Sequence, residues 1–118
     1  MKFESERFLA GDTAKIEDLG GGIRRQILGH NDDIMIVKVW FESGAKGTLH
    51  SHPHSQSTYV ESGAFDVTIN GETNRQTAGD CNYIPPNEEH GARCVDAGIL
   101  IDVFSPVRED FLAAKEDV

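Results

Sequence analysis

Three of the chain's five histidines, His50, His52 and His54, fall in one short run within GAKGTLHSHPHSQSTYVESG, residues 44–63. In an extended strand, residues two apart point to one face, so His50 and His52 project together. Gln56 keeps that parity and brings an amide oxygen to the same side. His90 stands well downstream, in GDCNYIPPNEEHGARC. Two imidazoles from one strand, an oxygen ligand from the next stretch and a distant imidazole can close around one divalent metal ion. A solvated-loop reading suits a lone histidine; it suits His-x-His followed by a second, proline-bearing histidine segment poorly.

The elements that must position these residues are short and mostly extended. The first twenty residues are polar with scattered apolar positions, end at Gly20-Gly21-Gly22, and read as an N-terminal arm or short strand, with the main domain over 21–118. IRRQIL leads through GHNDD into IMIVKVWF, two β-rich runs around a polar connection. ESGAKG turns the chain into the strand expected to carry His50 and His52. QSTYVES follows and is expected to end at Gly63. AFDVTIN alternates Phe65, Val67 and Ile69 against Asp66, Thr68 and Asn70, and Asn70-Gly71 is a strong hairpin signal. CNYI follows Gly79-Asp80, and Pro85-Pro86-Asn87 breaks the chain before His90. HGARCV and ILIDVF are the last predicted strands, around Asp96-Ala97-Gly98. After Pro106, VREDFLAAKE has the composition of a short C-terminal helix, with Phe111 and Leu112 available to dock. Many short strands with little helix mean an all-β single domain, a sandwich or a small barrel, and a small barrel can hold one ligand inside.

Composition sets the outer bounds. At 118 residues, with 38% hydrophobic and 26% charged, the chain is one globular domain able to bury a core. Twenty acidic residues against eleven basic ones give a formal charge of -9. That balance excludes a nucleic-acid partner, whose phosphates need a basic footprint. An anionic substrate would need a locally positive site, from a metal or an arginine. Cys81 and Cys94 lack CxxC spacing and read as partly buried thiols in a reducing compartment. With no signal-like or membrane-spanning apolar run, the expectation is a cytoplasmic protein without a membrane partner.

The two histidine segments carry a resemblance. Gly44-x5-His50-x-His52-x3-Gln56-x6-Gly63 resembles the first motif of the cupins, with Gln56 where glutamate is usual. Gly79-x5-Pro85-x-Asn87-x2-His90-x3-Cys94 resembles the second, with Asn87 and Cys94 replacing the usual glycine and asparagine. The resemblance implies a cupin jelly-roll barrel, or double-stranded β-helix, with His50, His52, Gln56 and His90 as ligands of one divalent ion: nickel, zinc, manganese or iron. RRQILGHNDDIMIVKVWF, LHSHPHSQSTYVESG, IPPNEEHG and ILIDVFSPVREDFL together are similar to the small pectin-degradation cupins of the KdgF family. That family opens and ketonises 4,5-unsaturated monouronates, the sugars left when lyases cut pectin or alginate, to linear 4-deoxy-5-keto uronates. It also uses glutamine as the oxygen ligand.

That chemistry needs a Lewis acid, a proton shuttle and a carboxylate anchor. In ILIDVF, Leu100, Asp102 and Phe104 share one face. From the pattern alone Asp102 is equally a strand-edge residue facing water, and the resemblance makes it the shuttle. Arg108 is equally part of a surface Arg108-Glu109-Asp110 cluster, and the resemblance makes it the catalytic and substrate-binding anchor for a small anionic sugar. Phe104 and His54 are the further substrate-binding candidates, while Tyr59, of opposite parity to Gln56, is expected between the sheets. Two other readings stand beside this one: a metal-dependent cupin dioxygenase, since three histidines and an oxygen suit iron, and a non-catalytic sugar-acid-binding cupin. By family analogy the chain is expected to form a homodimer.

Overall fold

β-Branched and aromatic residues alternating with polar ones draw the chain into eight strands, and the computed structural model describes residues 1–116 of it, with side chains through Leu112. β1 (Ile16–Gly20), β2 (Ile23–His30), β3 (Met35–Phe41), β4 (Lys46–His50), β5 (Ser55–Ile69), β6 (Glu72–Thr77), β7 (Cys81–Ile84) and β8 (His90–Ser105) precede α1 (Glu109–Glu116). Every pairing is antiparallel. At Asn70-Gly71 both φ angles are positive, 48° and 81°, which closes the predicted hairpin between β5 and β6.

β5 and β8 organise the rest. They pair from Ser55↔Ser105 to Ile69↔His90, with register shifts between Val60 and Phe65. One half of the pair extends into β1-β2-β3-β8-β5-β7, and the other into β4-β8-β5-β6. Two sheets thus share two long strands and face each other across one interior, a jelly-roll barrel. The sequence predicted strand ends at Gly63 and at Asp96-Ala97-Gly98; the structure instead runs both strands through as bulges. Glycine is required there by close approach: a Cβ on Gly63 would lie 2.6 Å from Gly98 Cα and from the Asp96 carbonyl oxygen.

The inward rows make the core, with Met35, Val37, Val60, Phe65 and Cys94 almost fully buried and Phe41 meeting Phe65 edge to face at 5.3 Å. Cys94 is the buried thiol expected, whereas Cys81 is exposed. Tyr59 is on the outer face, 48% exposed, so its odd parity sends it to solvent rather than between sheets. The first twenty residues are held to the barrel. β1 pairs with β2, Phe3 joins the core, and the Gln26 amide donates to the Gly11 and Ala14 carbonyls at 2.8 and 3.0 Å. No helix of the described residues is long and apolar enough to cross a membrane.

Candidate metal centre and adjoining cavity

His50 ends β4 directly opposite His90, which begins β8, and Gln56 lies near the start of β5. His52 is not in the strand predicted for it. β4 stops at His50, and His52 sits in the Ser51–His54 link, where Pro53 offers no N–H to a ladder. The link nevertheless delivers it: donor atoms of His50, His52 and His90 all lie within 4.8 Å of one another. Each imidazole is oriented from behind by a backbone carbonyl. Nδ1 of His50 contacts Thr48 O at 2.7 Å, Nδ1 of His90 contacts Glu88 O at 2.9 Å, and Nδ1 of His52 contacts His54 O at 3.2 Å. A carbonyl only accepts, so each Nδ1 carries the proton and each Nε2 keeps its lone pair.

Two of those lone pairs meet no donor among the described residues. Nε2 of His90 is buried with no hydrogen-bond partner among the described residues, and Nε2 of His52 lies 2.9 Å from Gln56 Oε1, itself an acceptor. An imidazolium at His52 would satisfy both its contacts, but burial, then the nearby Arg108, His90 and His50 charges, hold its pKa below the ordinary value despite the Gln56 contact. Burial also lowers His90, only partly offset by its bond to Glu88. The neutral His52 ring therefore faces an acceptor across a 2.9 Å gap. Two ligand atoms each about 2.1 Å from one shared ion have just such a separation when near right angles. The donor set fits a divalent cation.

The Gln56 amide is fixed by its neighbour. Gln56 Nε2 donates to Thr58 Oγ1 at 3.0 Å, and the Thr58 hydroxyl donates to Asp102 Oδ1 at 2.7 Å. A hydroxyl has one proton, so once it is given to Asp102 it must accept from the amide, leaving Oε1 to face the histidines. Asp102 stands opposite both Thr58 and Val37 in the strand register. Burial pushes its carboxyl up to about 6, against the opposing pull of the Thr58 hydroxyl, the Arg108 charge, the Gln56 amide and His50. His50, Gln56, Thr58 and Asp102 line one cavity of about 220 Å³, together with Phe104 and Arg108.

Comparison with known proteins agrees with this geometry. Residues 37–104 match the cupin domain family model. The pectin degradation protein KdgF of Dickeya dadantii (strain 3937) is 44% identical over 108 residues, covering 90% of this chain and 98% of that protein. The chain is a KdgF-type cupin. Among solved structures, an RmlC-like cupin from Shewanella frigidimarina NCIMB 400 shares 52% identity at a TM-score of 0.90, covering 92% of this chain and 97% of the other. KdgF from Halomonas sp. shares 38% at a TM-score of 0.86, covering 91% and 99%.

The remaining residues singled out in the sequence divide within this KdgF-type cupin. Phe104, 3% exposed, packs edge-on against His52 and Phe111, each at 5.8 Å, and walls the cavity. Arg108 reaches the cavity too, stacked 5.0 Å from Phe104, but its fork is also closed on Asp110 by bonds of 3.0 and 2.8 Å. Arg108 thus reaches the cavity and pairs with Asp110 at once, its side chain 11% exposed rather than part of a surface cluster. His54 does not line this cavity. Its ring meets His52 at 5.3 Å and lines a separate groove with Pro106, Val107 and Asp110, where burial and Arg108 lower its pKa. Two cavity residues were missed in the sequence. Thr58 gave no pattern signal, a threonine in a strand being ordinary. Arg25 did give one, since Ile23, Arg25 and Ile27 share a row.

Proposed function

We propose that the chain is an isomerase-type enzyme that converts 4,5-unsaturated monouronates into linear 4-deoxy-5-keto uronates by ring opening and tautomerisation, using one divalent ion. The observation that carries the reading is Asp102, a carboxylate raised to about 6, in the same cavity as His50 and Gln56 of the metal-binding set. The relative named for pectin degradation supports it. His50, His52, Gln56 and His90 would hold the ion. When bound, it supplies Lewis acidity toward the sugar's oxygens, at full double charge because all four ligands are neutral.

The chain's own residues account for the proton movement. Asp102 takes the C1 hydroxyl proton; C1–O becomes a carbonyl as the bond from C1 to the ring oxygen breaks. The electron pair stays on that oxygen, now a C5 enolate, and Asp102 returns the proton to C4, giving the 5-keto product. Nothing is oxidised or reduced, and a group titrating near 6 suits both giving and taking a proton near neutral pH. Thr58 holds the carboxylate in place, Phe104 walls the sugar and Arg108 places positive charge near its carboxylate.

The test is ultraviolet absorbance of unsaturated galacturonate with metal-loaded protein, run without dioxygen. The conjugated enol ether absorbs and the ketone does not, so absorbance should fall; a requirement for dioxygen would favour the oxygenase reading instead. We place the protein in the cytoplasm, supported by its two free thiols. We also expect it to work as a homodimer, to be checked by sedimentation. The outward row of Ile36, Trp40, Ile99 and Ile101, interrupted by Lys38, lies beside the exposed Tyr59 and offers largely apolar surface for a second copy.

A further inference from the structure

Arg25 occupies an inward position of β2, paired with Val39 of β3 and flanked in its row by Ile23 and Ile27. A guanidinium among apolar side chains is costly unless its donors are matched, and here they are not fully matched. The side chain is only 13% exposed, its hydrogen bond to Glu17 Oε2 is long at 3.4 Å, and its buried Nε has no partner among the described residues. The guanidinium stacks 4.1 Å from the centre of the Phe111 ring, and that of Arg108 lies 4.2 Å from the same centre. One phenyl ring thus spaces two cations along a wall of the cavity that holds Asp102. Of the two, Arg108 has its fork closed on Asp110, whereas Arg25 has no bidentate partner among the described residues.

We propose that Arg25 is a substrate-binding residue, the second cation that grips the carboxylate of a bound uronate, with Phe111 fixing its distance from Arg108. In a protein of net charge -9, two guanidiniums at one wall create the local positive potential an anionic sugar needs. The inference rests on the unsaturated-uronate reading given above. Its alternative is purely structural, with Arg25 serving only to tie β2 to Glu17 of β1.

The experiment compares Arg25→Gln and Arg25→Lys with the parent chain, all metal-loaded, on unsaturated galacturonate and on its uncharged methyl ester. Losing a charged hydrogen-bond donor should raise KM for the acid roughly 10- to 100-fold, with kcat little changed and KM for the ester unmoved. Arg25→Lys keeps the charge without the fork and should recover part of the loss. If Arg25→Gln fails to fold, Arg25→Lys is read in the same way, as a KM rise confined to the acid. Acid and ester changing in parallel, or neither changing, would overturn the proposal and leave the structural tie. If the parent chain does not turn over the unsaturated sugar at all, the activity reading fails. Calorimetric titration with saturated galacturonate then decides Arg25 separately: weaker binding by the glutamine variant supports the anchor, and equal or absent binding overturns it.

Discussion

Two groups of side chains whose hydrogen bonding differs meet at this site. On one side, Gln56, Thr58 and Asp102 form a closed chain in which donor meets acceptor at 3.0 and 2.7 Å. On the other, His50, His52 and His90 are held from behind by carbonyls, and Nε2 of His90 has no partner among the described residues while that of His52 faces an acceptor. Buried polar groups are normally matched. A set matched within the protein reads as machinery held ready, and a set matched only from behind reads as ligands for something the chain does not itself supply. Gln56 belongs to both, its amide nitrogen in the chain and its oxygen toward the histidines.

The largest effect should come from breaking the histidine side. His52→Ala should remove the ion and with it essentially all turnover, read as metal per chain by elemental analysis; full metal content in that variant would overturn the ligand assignment. Next is Asp102→Asn, which keeps shape and removes the titrating group. It should lower kcat about 10²–10⁴-fold with little change in KM. In the metal-free protein it should also raise stability by about 1–2 kcal/mol near pH 8, because a buried charge is removed. The sign follows from a folded pKa of about 6 lying above the unfolded value: the native carboxylate is disfavoured above that range, and the advantage of asparagine should vanish below about pH 4, where both states are protonated. No pH dependence of that difference in thermal melts would show that Asp102 is not shifted.

A smaller effect is expected where the two groups are coupled. Thr58→Val removes the hydroxyl that fixes the Gln56 amide and donates to Asp102. Metal affinity or activity should drop about 10- to 100-fold, as for other groups that orient ligands. The rise of kcat/KM with pH that reports Asp102 should move upward from its place in the parent chain, because the Thr58 bond lowers the Asp102 pKa. An unmoved profile would sever that link. The smallest change is Gln56→Glu, which should bind metal more tightly yet turn over the anionic sugar more slowly, since the ligand set loses its neutrality. Equal turnover at matched metal content would show that neutrality is not what the site uses.

How legible these parts were follows from their physics. The four candidate ligands were readable from residue type and spacing, although the same-face argument for His52 failed: Pro53 ends the ladder, and a folded link rather than a strand supplies that ring. Asp102 stood out as a lone carboxylate in the row Leu100, Asp102, Phe104. The same logic applied to Ile23, Arg25 and Ile27 would have found Arg25. Thr58 was invisible because its role is a pairing across strands, Thr58↔Asp102, which one chain segment does not show. Gly63 and Gly98 read as turns because glycine serves turns and close strand crossings alike, and only the partner backbone distinguishes them.

Metal content measured side by side in the parent chain, His52→Ala and Asp102→Asn tests the division most directly. After loading with a divalent ion and exhaustive dialysis, the parent and Asp102→Asn should each retain one ion per chain, with only the parent active, and His52→Ala should retain none. Loss of the ion from Asp102→Asn along with activity would contradict the account, because it would make the carboxylate part of the metal's own ligand set.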